Sequence, residues 1–354
     1  MASTCGTGQQ AGPNFLGRLI SVSSGNSTTS YGCYDPLGRV WTSTQTTGGT
    51  VYGPFSYQYN LAGAPSSETY PSGLVVTNSF DAAGRVTQVA GNMGINYAQS
   101  VSYVPQGVNV LTLGNNLTES WSYGNAQKQP TQMVASALQP APDSSYKVNA
   151  TWGWAYGTPT TDNGNVTSAS ITGLGVSASQ SFAYDHANRL TNSSETGTSP
   201  WSRNYDYDPW ANGWVTGYTG QAPNSFTPVA SSNFLTNNRL NIQGAVYDNG
   251  LPNGVGNQTT IGAYNSVYDA ENRLTSSGNG VVAAAFTYDG DGRRVQKVSG
   301  GTTTNYLFSS VQGLSGPPKG VVSEVLLFVS ITCSRRARAR GNVVGKSGAS
   351  RHNS

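Results

Sequence analysis

Short runs of alternating apolar and polar residues, each stopping at a Gly, Asn or Asp, are the main regularity of this chain. The clearest is Ala284-Ala285-Phe286-Thr287-Tyr288, followed by Asp289-Gly290-Asp291-Gly292 and then by Val295-Gln296-Lys297-Val298. A period of two over such a run is what a half-buried strand requires, so this stretch predicts an antiparallel hairpin. The hairpin is one copy of a repeat. The pattern aromatic-Asp-x-x-Gly/Asn-Arg occurs as Tyr34-Asp35-Pro36-Leu37-Gly38-Arg39, Phe80-Asp81-Ala82-Ala83-Gly84-Arg85, Tyr184-Asp185-His186-Ala187-Asn188-Arg189, Tyr268-Asp269-Ala270-Glu271-Asn272-Arg273 and Tyr288-Asp289-Gly290-Asp291-Gly292-Arg293. Ordinary residue frequencies would give about 0.1 copies by chance. Weaker copies start at Tyr59, Tyr103, Tyr123, Tyr156, Tyr205 and Tyr247, which sets a unit of about 20 to 23 residues. The 42 residues from Tyr205 to Tyr247 read as two units, one worn beyond recognition.

Each slot has a physical reason. The aromatic ends a strand and brings the apolar area that a short strand needs, and Asp opens the turn by accepting backbone N–H groups a few residues on. The fifth slot holds Gly38, Gly84, Asn188, Asn272 or Gly292, the residue types that most readily enter left-handed backbone. Arg39, Arg85, Arg189, Arg273 and Arg293 start the return strand, within reach of the turn carboxylates Asp35, Asp81, Asp185, Asp269 and Asp289.

These units resemble the YD repeats of Rhs and teneurin-like proteins and of insecticidal toxin-complex shell proteins. The resemblance runs from Phe15 to Phe308. It implies an all-β fold of tandem antiparallel β-hairpins, a spiralling sheet that forms a partial, barrel-like shell. It also implies a role in enclosing or presenting a toxin or another polypeptide cargo, in bacterial members often part of the same parent chain. The location it implies is extracellular or on a bacterial cell surface. The motif residues would then be structural, and no catalytic residue and no cofactor is expected.

Composition agrees with strands and turns. Charged residues are 10% of the chain, while there are 44 Gly and 20 Tyr. The net charge of +3 is uneven, because Arg335, Arg336, Arg338, Arg340, Lys346 and Arg351 crowd the end and leave the body slightly acidic. A nucleic-acid partner is not expected of such a body. The chain divides into a short lead (1–14), the array (15–308) and an off-pattern basic tail (309–354). The tail reads foremost as a frameshifted or truncated gene end, with a disordered basic extension or a linker to a lost domain as alternatives. The abrupt start reads as a fragment of a longer array, whose raw sheet edges would favour association. Met1 to Pro13 has neither a basic nor an apolar region of an export signal, and the run Val321 to Ile331 is too short to span a bilayer.

Candidate chemistry is sparse. Cys5, Cys33 and Cys333 suggest neither a disulfide framework nor a zinc site, with a Cys5–Cys33 bridge left open. His186 sits in a variable turn slot and His352 in the tail, so no Ser-His-Asp arrangement is credible. Gly341 to Ser347 lacks the first glycine of a phosphate loop. Asp289-Gly290-Asp291-Gly292 lacks the further ligands of a calcium loop, and Asp206 with Asp208 belongs to a repeat start. The remaining candidate is aromatic. Trp201, Trp210 and Trp214, among Tyr205, Tyr207 and Tyr218, form the densest ring cluster and offer an alternative role in glycan stacking, as Trp152 and Trp154 do on one strand face.

Overall fold

The structure, a computed structural model, describes residues 15–124, 127–138, 146–158, 160–248, 254–310 and 314–315. Among these the chain is built of β-strands, with a 3-10 turn at Ser231–Asn233. No helix among the described residues is long and apolar enough to cross a membrane. The first 17 strands, from Ser21–Ser24 to Gly213–Thr219, form one sheet, and seven more, from Val246–Tyr247 to Thr302–Asn305, form a second. A short pair, Leu307–Phe308 with Leu314–Ser315, ends the order.

Within each sheet every strand pairs antiparallel with its neighbours in the chain. Ser27–Tyr34 pairs with Ser21–Ser24 and Val40–Thr47, the latter with Thr50–Tyr59, and so on to the last hairpin. The all-β strip of hairpins expected from the repeats is therefore the observed fold. Its two edges differ. One carries the aromatic-Asp turns, and the other carries two-residue turns such as Gly48-Gly49, Leu174-Gly175 and Gly300-Gly301, with both central residues at positive φ. That geometry matches the right-handed twist of the flanking strands.

Most repeats also carry a bulge at the same place, and the Tyr207 unit carries it two pairs further from its turn. Tyr34 pairs with Val40 but Cys33 with Thr42, so Trp41 is left over. The same skip leaves Ser66, Thr87, Thr191, Thr275 and Val295 extra in their units. A bulge bends its strand and increases local twist, so one bulge per unit makes the strip coil.

Only thirteen apolar side chains are buried among the described residues. A small cluster of Val89, Ala98 and Val101 lies within the sheet, and most strand positions are half-buried. The strip is thus a single layer, and its deepest packing lies where it meets itself. Residues 289–310 return to the first hairpins: Leu307 joins Phe55 and Tyr57 in one apolar cluster, against Val40, Tyr52, Tyr59 and Tyr70. Gly290 lies so close to Val22 that a Cβ would fall 2.0 Å from its Cγ1, and Gln296 reaches the turn at Gly48. Ser309 and Ser310, assigned to the tail on sequence, belong to this contact, since Ser309 is buried and the Ser310 N–H donates to Tyr57 at 2.9 Å. The lead 1–14 and the rest of the tail, apart from 314–315, lie outside the described residues.

Candidate functional site

The repeat turn is a closed polar unit. In the first copy the Asp35 N–H donates to the Arg39 carbonyl at 2.9 Å, and the Gly38 N–H donates to the Asp35 carbonyl at 2.9 Å. The carboxylate closes the return: Oδ1 accepts the Arg39 N–H at 2.9 Å and Oδ2 accepts Arg39 Nε–H at 2.6 Å. Asp81–Arg85, Asp185–Arg189 and Asp269–Arg273 repeat this two-point grip, and Asp289 pairs with Arg293 Nε at 3.3 Å. Gly38, Gly84 and Gly292 have φ of 87°, 76° and 79°, and Asn188 and Asn272 have 59° and 61°, so the fifth slot is left-handed in all five. Asp208 and Asp248 keep the arrangement with Asn212 and Asn257 in place of Arg. The worn unit is Phe234 to Leu240: Leu235 takes the Asp slot, Asn238 is left-handed, and the Leu235 N–H donates to the Arg239 carbonyl at 2.8 Å.

A second layer of contacts joins the turns to one another. The Arg39 guanidinium lies 4.3 Å from the ring centre of Tyr59, the aromatic of the next unit, whose hydroxyl donates back to the Val40 carbonyl at 2.6 Å. The same pair of contacts links Arg18 and Leu19 to Tyr34, Arg85 and Val86 to Tyr103, and Arg189 and Leu190 to Tyr207. It also links Arg239 and Leu240 to Tyr247, and Arg273 and Leu274 to Tyr288. Cation–π contacts and hydroxyl bonds therefore rivet successive units. The repeat motif pairs Arg with the turn Asp alone and does not by itself disclose this ladder. The signal was present in the preference for Tyr over Phe at the first slot, because only Tyr carries a donor.

The electrostatics follow from these contacts. At Asp81 and Asp185 the backbone N–H of Arg85 or Arg189 is the strongest influence and holds the carboxyl below its ordinary value. At Asp35 and Asp269 burial is the largest influence and pulls upward, but the hydrogen bonds from Arg39 and Arg273 outweigh it and these carboxyls also sit low. Burial pushes the Tyr59 hydroxyl up to about 12, so it stays a donor. Where the strip meets itself the balance is opposite. Glu68 is 2% exposed, and desolvation raises its carboxyl above the ordinary value despite hydrogen bonds from Ser309 and Tyr70.

The other candidates do not converge. Trp201 opens the strand Trp201–Tyr207, whereas Trp214 pairs with Asp206 near its far end. At about 3.4 Å per residue that separates them by roughly 17 Å. Trp210 is 69% exposed in a turn, its N–H bound to Asp208. The three do not form one platform. The stacked pair is instead Trp121 with Trp154, 6.1 Å apart and 6° from parallel. His186 is exposed in its turn, and Asp206 accepts the Tyr207 N–H while Asp208 holds Trp210 and Asn212. Asp289 accepts the N–H groups of Asp291 and Arg293, which makes that stretch a repeat turn. One open cleft of about 480 Å³ lies between the Asp248 and Asp269 turns, and both carboxylates are already engaged by Asn257 and Arg273. Among the described residues no three His, Cys, Asp or Glu side chains cluster as metal ligands. One expectation changes: Cys33, buried in its strand, is disulfide-bonded, and Cys5 and Cys333 lie outside the described residues. Three widely spaced cysteines gave spacing arguments nothing to work on.

The same strip occurs in solved toxin structures. The chain is similar to one in the crystal structure of TcdB2–TccC3–Cdc42, with a TM-score of 0.67 and 16% identity, over 84% of this chain and 17% of that one. It is similar to a chain of the Photorhabdus luminescens Tc holotoxin pore, with a TM-score of 0.59 and 16% identity, over 83% of this chain and 16% of that one. For the crystal structure of TcdB2–TccC3 the values are 0.57 and 14%, over 84% and 17%. This chain thus spans about a sixth of the length of those it matches. At these identities the likeness is one of fold, and the fold is the hairpin strip that the Rhs-type YD repeats implied. No protein-family model matches the chain. No curated protein matches it either.

Proposed function

We propose that this chain is a non-catalytic wall segment of a shell that encloses a polypeptide, a toxin in the first instance. The observation that carries this reading is the coiling strip whose end returns to its beginning, a shape suited to surrounding something and poor at building a cleft for chemistry. The fold likeness to chains of Tc toxin structures supports a toxin as the enclosed class and export from the cell as the setting. A disulfide at Cys33 fits an oxidising compartment. The ladder of Asp, Arg and Tyr serves the wall itself, because the Asp carboxylates close their own turns while the Arg guanidinium and the Tyr hydroxyl join neighbouring units.

Fusing an unstructured, protease-sensitive passenger to the C-terminus of the full chain tests the reading. Limited proteolysis with mass spectrometry is expected to leave the array as one resistant fragment reaching Ser310 and to cut the passenger more slowly than the same passenger on an unrelated carrier. A passenger cut at the carrier rate, beside an intact array, would sink the enclosing role.

A further inference from the structure

The contact between residues 305–310 and the first hairpins has the makings of peptide recognition. The Gln45 side chain, 2% exposed, treats the segment as a neighbouring strand would: Nε2 donates to the Tyr306 carbonyl at 2.9 Å, and Oε1 accepts the Phe308 N–H at 3.1 Å. Tyr57 accepts the Ser310 N–H while bound to Ser43 at 2.8 Å, and Asn305 Nδ2–H donates to the Tyr52 hydroxyl at 2.7 Å. Between these polar clamps Leu307 is 4% exposed against Phe55 and Tyr57, and the Ser309 side chain meets Glu68. Backbone groups are thus read at both ends and side chains at alternate positions, the logic by which sheets capture extended peptides.

We propose that the face formed by strands Val40–Thr47, Thr50–Tyr59 and Pro65–Thr69 is a binding groove for an extended peptide bearing a leucine and, two residues on, a serine, occupied here by residues 305–310 as a releasable latch. The groove does not depend on the enclosing role. Glu68 is its control point. Its carboxylate faces Tyr57 across the sheet, Tyr70 at the end of its own strand and Ser309 from the latch, with Tyr59 further along, and no cation pairs with it among the described residues. Among the described residues its Oε1 has no hydrogen-bond partner. A buried carboxylate so placed favours its proton, and ionisation loosens the groove.

The experiment uses the full chain and a fluorescent peptide with the sequence of residues 304–310. In Leu307→Ala and Leu307→Asp chains the resident segment is weakened, and the peptide is expected to bind saturably by anisotropy, about tenfold or more tighter than to the unsubstituted chain. Adding Gln45→Ala is expected to abolish that binding, and Glu68→Gln to remove its decline with rising pH. Chains that keep their circular dichroism yet bind no peptide, or bind it equally with and without Gln45→Ala, overturn the proposal. If both Leu307 variants unfold, hydrogen exchange on the unsubstituted chain decides: excess peptide is expected to speed exchange at Phe308 and Ser310, and unchanged rates overturn it.

Discussion

At the scale of single residues, the Tyr hydroxyl is a cheap test of the ladder. Tyr59→Phe keeps the ring under Arg39 and deletes only the bond to the Val40 carbonyl, so it is expected to cost about 1 kcal/mol in denaturant unfolding. Arg39→Ala removes both the ring contact and the turn grip and should cost more. Protonation acts in two opposite directions. The turn carboxylates are depressed, so they contribute above the ordinary value of 3.8 and that contribution is lost as pH falls through their lower folded values. Glu68 is raised, so its contribution is complete below 4.5 and is lost as pH rises through its higher folded value. Unfolding midpoints across pH should therefore fall on both sides, and Glu68→Gln should flatten only the upper limb. The turn residues were legible in sequence because their geometry is local: Asp35 and Arg39 are four apart. Gln45 and Glu68 were not, since nothing in either's neighbourhood announces a partner such as Tyr306 or Ser309 that arrives from more than two hundred residues away.

At the scale of the hairpin, Leu174 and Ala211 are among the residues that work against their backbone. Leu174 has φ 54° in the two-residue turn before Gly175 and is exposed, and Ala211 has φ 68° in the slot that other units give to Gly or Asn. Left-handed backbone costs such residues about 1–2 kcal/mol, so Leu174→Asn and Ala211→Gly should each raise stability by about 1 kcal/mol, read as a shift of the denaturant midpoint. Gly173→Ala should do the reverse, because its Cβ would fall 2.1 Å from the Asn149 carbonyl oxygen. The strands and aromatic turns could be read from alternation and from the repeat. The recurring bulge could not, since Trp41, Thr87 and Val295 share no residue type and are set aside only when the facing strand is in register.

At the scale of the whole molecule, burial is concentrated where the strip meets itself. Native-state hydrogen exchange should be slowest in Val40–Thr47 and Thr50–Tyr59, which carry buried Ser43, Gln45, Thr47, Phe55 and Tyr57, and faster in Trp201–Tyr207, where no residue is fully buried. Equal rates along the strip would contradict that picture. The overall coil was foreseeable only through family resemblance, because curvature accumulates from small twists that no single unit displays. The riveting of units also has a direction. Each turn Arg and the carbonyl after it wait for a Tyr that lies downstream, and Arg293 of the last turn finds Phe308 instead. A ribosome releases the chain in that same order. Each such turn therefore stays half-fastened until its downstream Tyr has emerged, 8 to 20 residues later, and translation itself sets the sequence in which the wall is fastened, with any pause leaving one open seam at the growing end.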